Sequence, residues 1–448
     1  MQEPADAPAF SLRRTLKLGS FHIGSAFSDI LIAGVWNRIL ITELAINATP
    51  VAFLAALRYL IAPLIIWIGH RSDTQPFLGR RRLSYIYLGR LLIWLSLPLL
   101  PLVVIELARD RGSPLGWVLA LAIFLLYGLG TLISGSPFLA LVRESAPPAK
   151  QGLAVVIVQT VLLSGFAIVP IVYAISMPDY SPAAFRRLVG VAMVGAAITW
   201  LFSVWGEERV KPRVEEESGT EPPVAFGETV RRMLREANTR HFFWLLSAGS
   251  IAMFAQDAIL EPFGGDLFGL SVGDTTRFNA YYGVGVLLAM IASSVLTRRW
   301  LPQNFTGLTA GGLLAIAATL GLLAAAALGR VESLLVPGLF LFGIASGIYT
   351  VGGLSLMIAM TDERHAGAYL GLWSMAQLVF RGVGIALGGL VLDVVRNLTG
   401  SPEWGYASVF LMEIIAALVA LAFLARVARI GYLYTPRLRA QEPLAALD

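Results

Sequence analysis

The sequence predicts an all-α integral membrane protein with twelve transmembrane helices in two six-helix bundles. Composition is the first reason. Apolar residues make up 56% of the 448 and charged residues 14%, and mean hydropathy is +0.72, whereas a soluble domain carries about 25% charged residues. Apolar runs of about 20 residues, the length that crosses a bilayer core, recur along the whole chain. The third reason is the placement of Lys and Arg on alternate connections, which only an even number of crossings preserves.

Spans are expected at 17–41, 50–69, 83–107, 117–141, 151–176, 186–206, 242–262, 278–299, 306–328, 335–360, 366–392 and 407–428. Each is read as a helix, because a lone segment in lipid must satisfy its own backbone. Residues 1–16 are polar and the first apolar run is too long for a cleavable leader, so the first span is expected to be retained. With the N-terminus inside, Arg13, Arg14, Lys17, Arg71, Arg80, Arg81, Arg82, Arg143, Lys150, Arg298, Arg299, Arg364 and the basic residues of the central linker fall on one side. Arg109, Arg111, Arg186, Arg187, Arg277, Arg330 and Arg396 fall on the other, a roughly threefold bias. Both termini are therefore expected on the cytoplasmic side. The basic residues serve topology, and no nucleic-acid partner is expected.

The organisation follows: a first bundle over 1–206, a cytoplasmic linker over 207–240, a second bundle over 241–430 and a tail over 431–448. The first part of the linker, EERVKPRVEEESGTEPPV, has the composition of a flexible segment. Its second part sets Phe226, Val230, Met233, Leu234 and Ala237 at helical spacing among Arg231, Arg232 and Arg235. That pattern suits a basic amphipathic helix on the inner leaflet. The halves echo one another weakly. Each opens on a span with an intramembrane Asp, Asp29 or Asp257. Charged clusters recur in the loops after spans 4 (Arg143, Glu144) and 10 (Asp362, Glu363, Arg364). Six spans, a long central loop and six more is the layout of transporters that rock about a midplane site.

The chain has no cysteine, which excludes disulfides and thiolate chemistry. No HExxH, CxxC, GxSxG or GxxxxGK[ST] is present, and no enzymatic activity is expected. Chemistry is concentrated in charges at membrane depth, which are costly there and are seldom incidental. At ~1.5 Å per residue, Asp29 lies roughly 18 Å and Arg58 roughly 16 Å from the inner ends of neighbouring spans. Asp257 and Arg381 each lie roughly 22 Å from theirs. Two readings stand open. In one, the four charges pair and fix the register of the bundles. In the other, they line a polar cavity and meet a substrate head group or a coupling proton. Asn37 and Arg38 form a further polar pair near the outer end of span 1, with Arg38 nine residues from Asp29 and so on the opposite helix side. Gln256 adjoins Asp257, and Glu261 follows four residues later on the same face. Glu261 precedes Pro262, Gly264 and Gly265, which read as a helix break within or near the membrane: either the broken helix frees backbone groups to bind a ligand, or the helix ends at the outer surface with Glu261 at the interface.

The plainer features have plain readings. His22 reads as a satisfied helix residue, with ligation of a chlorin magnesium as its functional alternative. No other metal site is expected. Trp94, Trp117, Trp200, Trp205 and Trp373 read as interface anchors. The steps Gly343 to Gly347, Gly367 to Gly371 and Gly384 to Gly388 allow close helix approach.

Between spans 2 and 3 the sequence runs Gly69-His-Arg-Ser-Asp73 and then Gly79-Arg80-Arg81-Arg82. This resembles the loop signature of the major facilitator superfamily, in which an Asp and a basic cluster latch the cytoplasmic face through charge-assisted hydrogen bonds to helix ends. Here the spacing is longer than the usual form and includes Pro76. Three further segments, GVWNRILITEL (Gly34–Leu44), LRYLIAPLIIWIGHRSD (Leu57–Asp73) and FAQDAILEPFGG (Phe254–Gly265), together resemble the PucC/LhaA bacteriochlorophyll-delivery family of that superfamily. The resemblance covers about residues 15–430. It implies a photosynthetic accessory protein that binds or delivers bacteriochlorophyll as cargo. Its implied partners are light-harvesting antenna polypeptides and photosynthetic complexes within the lipid bilayer. The motif positions carried over are Asn37, Arg38, Gln256, Asp257 and Glu261. Two other readings of the residues remain: a proton-coupled secondary transporter of an amphipathic or anionic solute, and a structural subunit at the edge of a photosynthetic complex.

Overall fold

The structure is a computed structural model that describes residues 10–64, 82–207, 234–300, 304–360 and 366–429. The signature residues Gly69, Asp73, Gly79, Arg80 and Arg81 lie outside the described residues, as do most of the central linker, Asp362 to Arg364 and the tail.

Every regular element among the described residues is a helix. In chain order they are α1 (Leu12–Glu43), α2 (Ala48–Leu60), α3 (Leu83–Arg109), α4 (Pro114–Glu144), α5 (Gln151–Ser176) and α6 (Pro182–Val204). Then come α7 (Ala237–Phe254), α8 (Leu260–Phe268), α9 (Val272–Thr297), α10 (Asn304–Gly329), α11 (Leu335–Ala359), α12 (Ala366–Thr399) and α13 (Pro402–Arg429). Ten of the spans are long and apolar enough to cross a membrane. The second expected span is represented by the short apolar helix α2, and the seventh by α7 and α8 together. Large apolar side chains point outward along them, such as Val156 and Ile168 of α5 and Leu296 of α9. A surface of that kind is stable against acyl chains and costly against water.

Besides the seventh, three spans depart from regular helix. α1 contains two π-helical stretches, Leu31–Val35 and Ile39–Glu43, on either side of Trp36, Asn37 and Arg38. Such bulges concentrate at functional positions. α3 is interrupted between Ser96 and Leu99, at Pro98, where no amide hydrogen is available to continue the ladder. The second span, read from sequence as unbroken, leaves regular helix at Ile61 to Pro63 for the same reason.

In the first half, α1 packs against α5 and α6, and α4 against α2 and α3. In the second, α11 packs between α9 and α10, and α13 against α7 and α10. The halves meet along two seams, α2 with α12 and α5 with α9, and again where the far end of α1 meets α8. Small residues set these distances. A Cβ on Gly89 would collide with the Gly130 carbonyl, and one on Gly130 with the Gly89 carbonyl, so α3 and α4 cross at backbone contact. Of the expected glycine steps, Gly343 and Gly347 sit against α9, and Gly384 and Gly388 against α7, whereas Gly371 faces open space.

Two of the expected interface tryptophans are core residues instead. Trp373 is fully buried against Phe242, and Trp200 is buried beside Arg90. Position along a span suggested an anchor, but helix rotation turns both rings inward. Trp205 is exposed as an anchor should be. Glu207, the first linker residue, is held to α1 by Arg14 at 2.6 Å and Lys17 at 2.9 Å.

Gly130→Val is expected to destabilise the protein by about 1–3 kcal/mol, the cost of overpacking a close crossing. Gly135→Ala, where an added Cβ meets nothing within 4 Å, is expected to leave stability unchanged. Thermal unfolding in detergent compares the two.

Candidate functional site

The structure forms two acid–base pairs within the spans. The Arg58 guanidinium donates from Nη1 to Asp29 Oδ1 at 2.7 Å, and the Tyr127 hydroxyl donates to the same oxygen at 2.6 Å. In the second half Arg381 Nη2 donates to Asp257 Oδ2 at 2.8 Å. Asp29 and Asp257 come from the first spans of their halves, but the two arginines come from α2 and α12, which form one seam. Tyr59 lies between them: each guanidinium carbon is 4.6 Å from the centre of its ring. Arg381 also covers the Phe254 ring at 3.9 Å. The charges are therefore paired within each half and bridged by one aromatic face across the seam. Asp29, Asp257 and Arg381 each remain 27–29% exposed at the side chain.

Sequence fixes this arrangement locally. α7 stops at Phe254, and residues 255–259 form turns before α8 begins at Leu260. The break therefore precedes Glu261 rather than following it, and Pro262 occupies the first turn of α8, where a missing amide hydrogen costs nothing. α8 ends on Gly269, whose φ of 65° is the left-handed conformation favoured after a helix. Within the break, the Gln256 amide donates to Glu413 Oε1 at 2.9 Å in place of a carbonyl of its own helix. The Gln256 side chain turns back and donates from Nε2 to the Met253 carbonyl at 2.9 Å. The break brings Asp257 round to Arg381.

Glu261 is not at an interface. It is buried, accepts from Asn279 Nδ2 at 2.7 Å and Thr276 Oγ1 at 3.2 Å, and presses against Gly34 of α1. The sequence reading failed because it put the helix end on the wrong side of this residue, and because both partners come from α9. Arg38 is buried and joins the halves. It donates to Glu43 at 3.0 Å and to the Leu270 carbonyl at 3.2 Å, and Gly265 leaves room for its guanidinium. Asn37, also buried, donates to the Ala33 carbonyl at 2.6 Å. Arg38 and Asn37 thus belong to a cluster at the outer end of α1, apart from Asp29. His22 is half-buried, edge-on to Phe21 and Phe138.

Several participants escaped the sequence reading. Asp393 of α12 accepts from the Ala48 and Thr49 amides at 3.0 and 2.7 Å and from the Thr49 hydroxyl at 2.5 Å. A carboxylate from one half thus caps a helix of the other. Gly273 donates to the Pro178 carbonyl at 2.8 Å across the second seam. With the Arg38–Leu270 contact, these bonds tie the halves together at the end away from Ser11, the N-cap of α1. Tyr59, Tyr127, Arg90 and Glu413 line or support the interior. The last two were visible as charges within LGRLLIW and FLMEIIA.

The four charges are thus paired beside aromatic rings. Removal of one partner from such a pair is far costlier than removal of both. Arg58→Ala is expected to lower stability by up to about 3–5 kcal/mol. Adding Asp29→Asn is expected to recover part of that loss, as read by thermal unfolding in detergent. A double variant no better than the single would contradict the pairing.

Comparison with known proteins places these features in a lineage. The profile of the family described as "PUCC protein" matches residues 35–431. A protein named PucC from Rhodovulum sulfidophilum is 30% identical over 401 residues, with 86% of each chain covered. A Rhodobacter capsulatus protein named "Bacteriochlorophyll synthase 44.5 kDa chain" is 28% identical over 398 residues, covering 87% of this chain and 90% of that one. Among solved structures, a POT family transporter crystallised with 5-aminolevulinic acid superposes with a TM-score of 0.70 at 14% identity. The match covers 94% of this chain and 98% of that one. The fold is that of the major facilitator superfamily.

Proposed function

This chain belongs to the PUCC protein family, and from that membership and its interior we propose that it binds bacteriochlorophyll and hands it on during assembly of light-harvesting antennae. A multi-pass membrane protein with a transporter-like fold suits that task. A chlorin with an isoprenoid tail is too apolar to cross water. It needs a path inside or along a bundle whose outer face is already apolar.

The observation that carries the reading is the interior at the level of Tyr59. Tyr59, Phe254 and Tyr127 supply aromatic faces, and Asp29, Arg58, Asp257 and Arg381 stand at their edges with their charges mutually neutralised. A flat apolar macrocycle with polar substituents asks for that combination: broad ring contacts and a few fixed polar anchors. The names of the relatives, PucC and a bacteriochlorophyll synthase chain, support the choice of pigment. In this reading the partners are antenna polypeptides in a bacterial inner or photosynthetic membrane, with both termini on the cytoplasmic side.

The transporter-like fold supports a second reading, proton-coupled movement of an amphipathic solute. The readings part on purification from a phototrophic host in mild detergent. Chlorin absorbance and antenna polypeptides that co-purify at less than one copy per chain support delivery. A colourless protein that drives proton-dependent solute uptake in proteoliposomes would overturn it. Stoichiometric retention in a photosynthetic complex would instead indicate a structural subunit. Within the delivery reading, Asp257→Asn is expected to lower antenna absorbance while membrane insertion stays normal. Full antenna absorbance in that variant would remove Asp257 from the working site.

A further inference from the structure

Arg90, in the first part of α3, is a buried cation with no carboxylate partner among the described residues. The other arginines at depth have one: Arg38 has Glu43, Arg58 has Asp29 and Arg381 has Asp257. Arg90 is 8% exposed. Its one hydrogen bond runs from Nη1 to the Ser25 hydroxyl at 3.2 Å, a neutral acceptor. Its Nε is buried without a partner. Its guanidinium carbon lies 4.1 Å from the centre of the Phe21 ring and 5.1 Å from that of Trp200. The Trp200 indole N–H is also buried without an acceptor. A guanidinium offers five N–H donors and no acceptor, so this corner of the bundle holds a surplus of donors and of positive charge.

The corner adjoins the site already described. Phe21, Ser25 and Asp29 follow at intervals of four and share one face of α1. Arg90 spans the first two, and Arg58 and Tyr127 hold the third about 6 Å further along. Asp29 is thus already engaged one turn away. Aromatic faces ease the burial of a cation but supply no hydrogen-bond acceptor in the guanidinium plane. What is missing is an anion with two or more oxygens, the group a guanidinium receives in bidentate fashion.

We propose that Arg90, with the Ser25 hydroxyl and the Trp200 indole N–H, receives the acidic group, a carboxylate or phosphate, of an amphipathic ligand whose apolar body occupies the interior beside Asp29 and Tyr59. The inference rests on the reading above for an interior that takes an amphipathic guest; because the propionate of bacteriochlorophyll is esterified by its isoprenoid alcohol, it assigns this corner to an unesterified acidic amphiphile rather than to that pigment itself. Two sources carry such a group, a chlorin with a free carboxylic side chain and a lipid. The shared chemistry is an anionic head on an apolar body.

The test uses the full-length protein in detergent and the absorption shift of pyropheophorbide a, a chlorin with one free carboxylic acid, against its methyl ester. The wild type is expected to bind the acid at least about tenfold more tightly than the ester, the size of one charge-assisted contact. Arg90→Gln is expected to bring that ratio close to one while ester binding persists. Arg90→Lys should keep part of the preference. Trp200→Phe should narrow it, and provides a readout even where Arg90→Gln fails to fold. Displacement of the acid by oleate at comparable concentration supports the same site with a lipid as its source. Equal binding of acid and ester by the wild type overturns the inference and leaves pigment binding standing. So does a preference that Arg90→Gln and Trp200→Phe leave unchanged, which would reduce Arg90 to a counter-charge for Asp29. Failure to bind either form overturns both readings.

Discussion

A charge inside a membrane must find its opposite, and the Asp29–Arg58 and Asp257–Arg381 pairs are where this protein meets that demand. Much of the surrounding geometry serves them. The break after Phe254 brings Asp257 round to α12, and Glu413 from α13 makes the break tolerable by accepting the freed Gln256 amide. Both arginines stand on the α2–α12 seam, so the halves meet where their charges are satisfied. Tyr59 lies against both guanidinium groups and couples the pairs without adding a charge.

The same seam also carries the bond that holds the halves at one end. Asp393 reaches from α12 to the exposed amides at the start of α2, a helix terminus that Asn47, its own N-cap residue, leaves without a side-chain partner. Arg38 performs the corresponding task at the far end of α1, between two π-helical stretches that bring Asn37 and Arg38 into the core. A movement of the halves would therefore exchange specific hydrogen bonds, at Asp393, Arg38 and the Gly273–Pro178 contact.

Much of this was legible in the sequence for a physical reason: hydropathy and charge act locally. Apolar length marked the spans, and depth counted from their inner ends set Asp29 level with Arg58 and Asp257 level with Arg381, leaving open whether the charges pair or line a cavity. What was not legible depends on rotation about a helix axis or on partners from distant segments. Glu261 looked interfacial because Pro262 and the glycines after it suggested a helix end, yet Thr276 and Asn279 bury it. Trp200 and Trp373 had the position of anchors and the orientation of core. Asp393 as a foreign helix cap left no local trace. Arg90 and Glu413 are different, since a lone charge inside an apolar run is a signal that reading along the chain could have found.

The central claim is that each half neutralises its own intramembrane Asp with an Arg on the shared seam. Solid-state NMR dephasing between carboxyl-labelled Asp and guanidinium-labelled Arg in lipid measures this directly. Two contact-range Asp–Arg signals are expected, one lost in Arg58→Lys and the other in Arg381→Lys. Carboxyl signals of Asp29 and Asp257 that show no dephasing from any arginine would contradict the account.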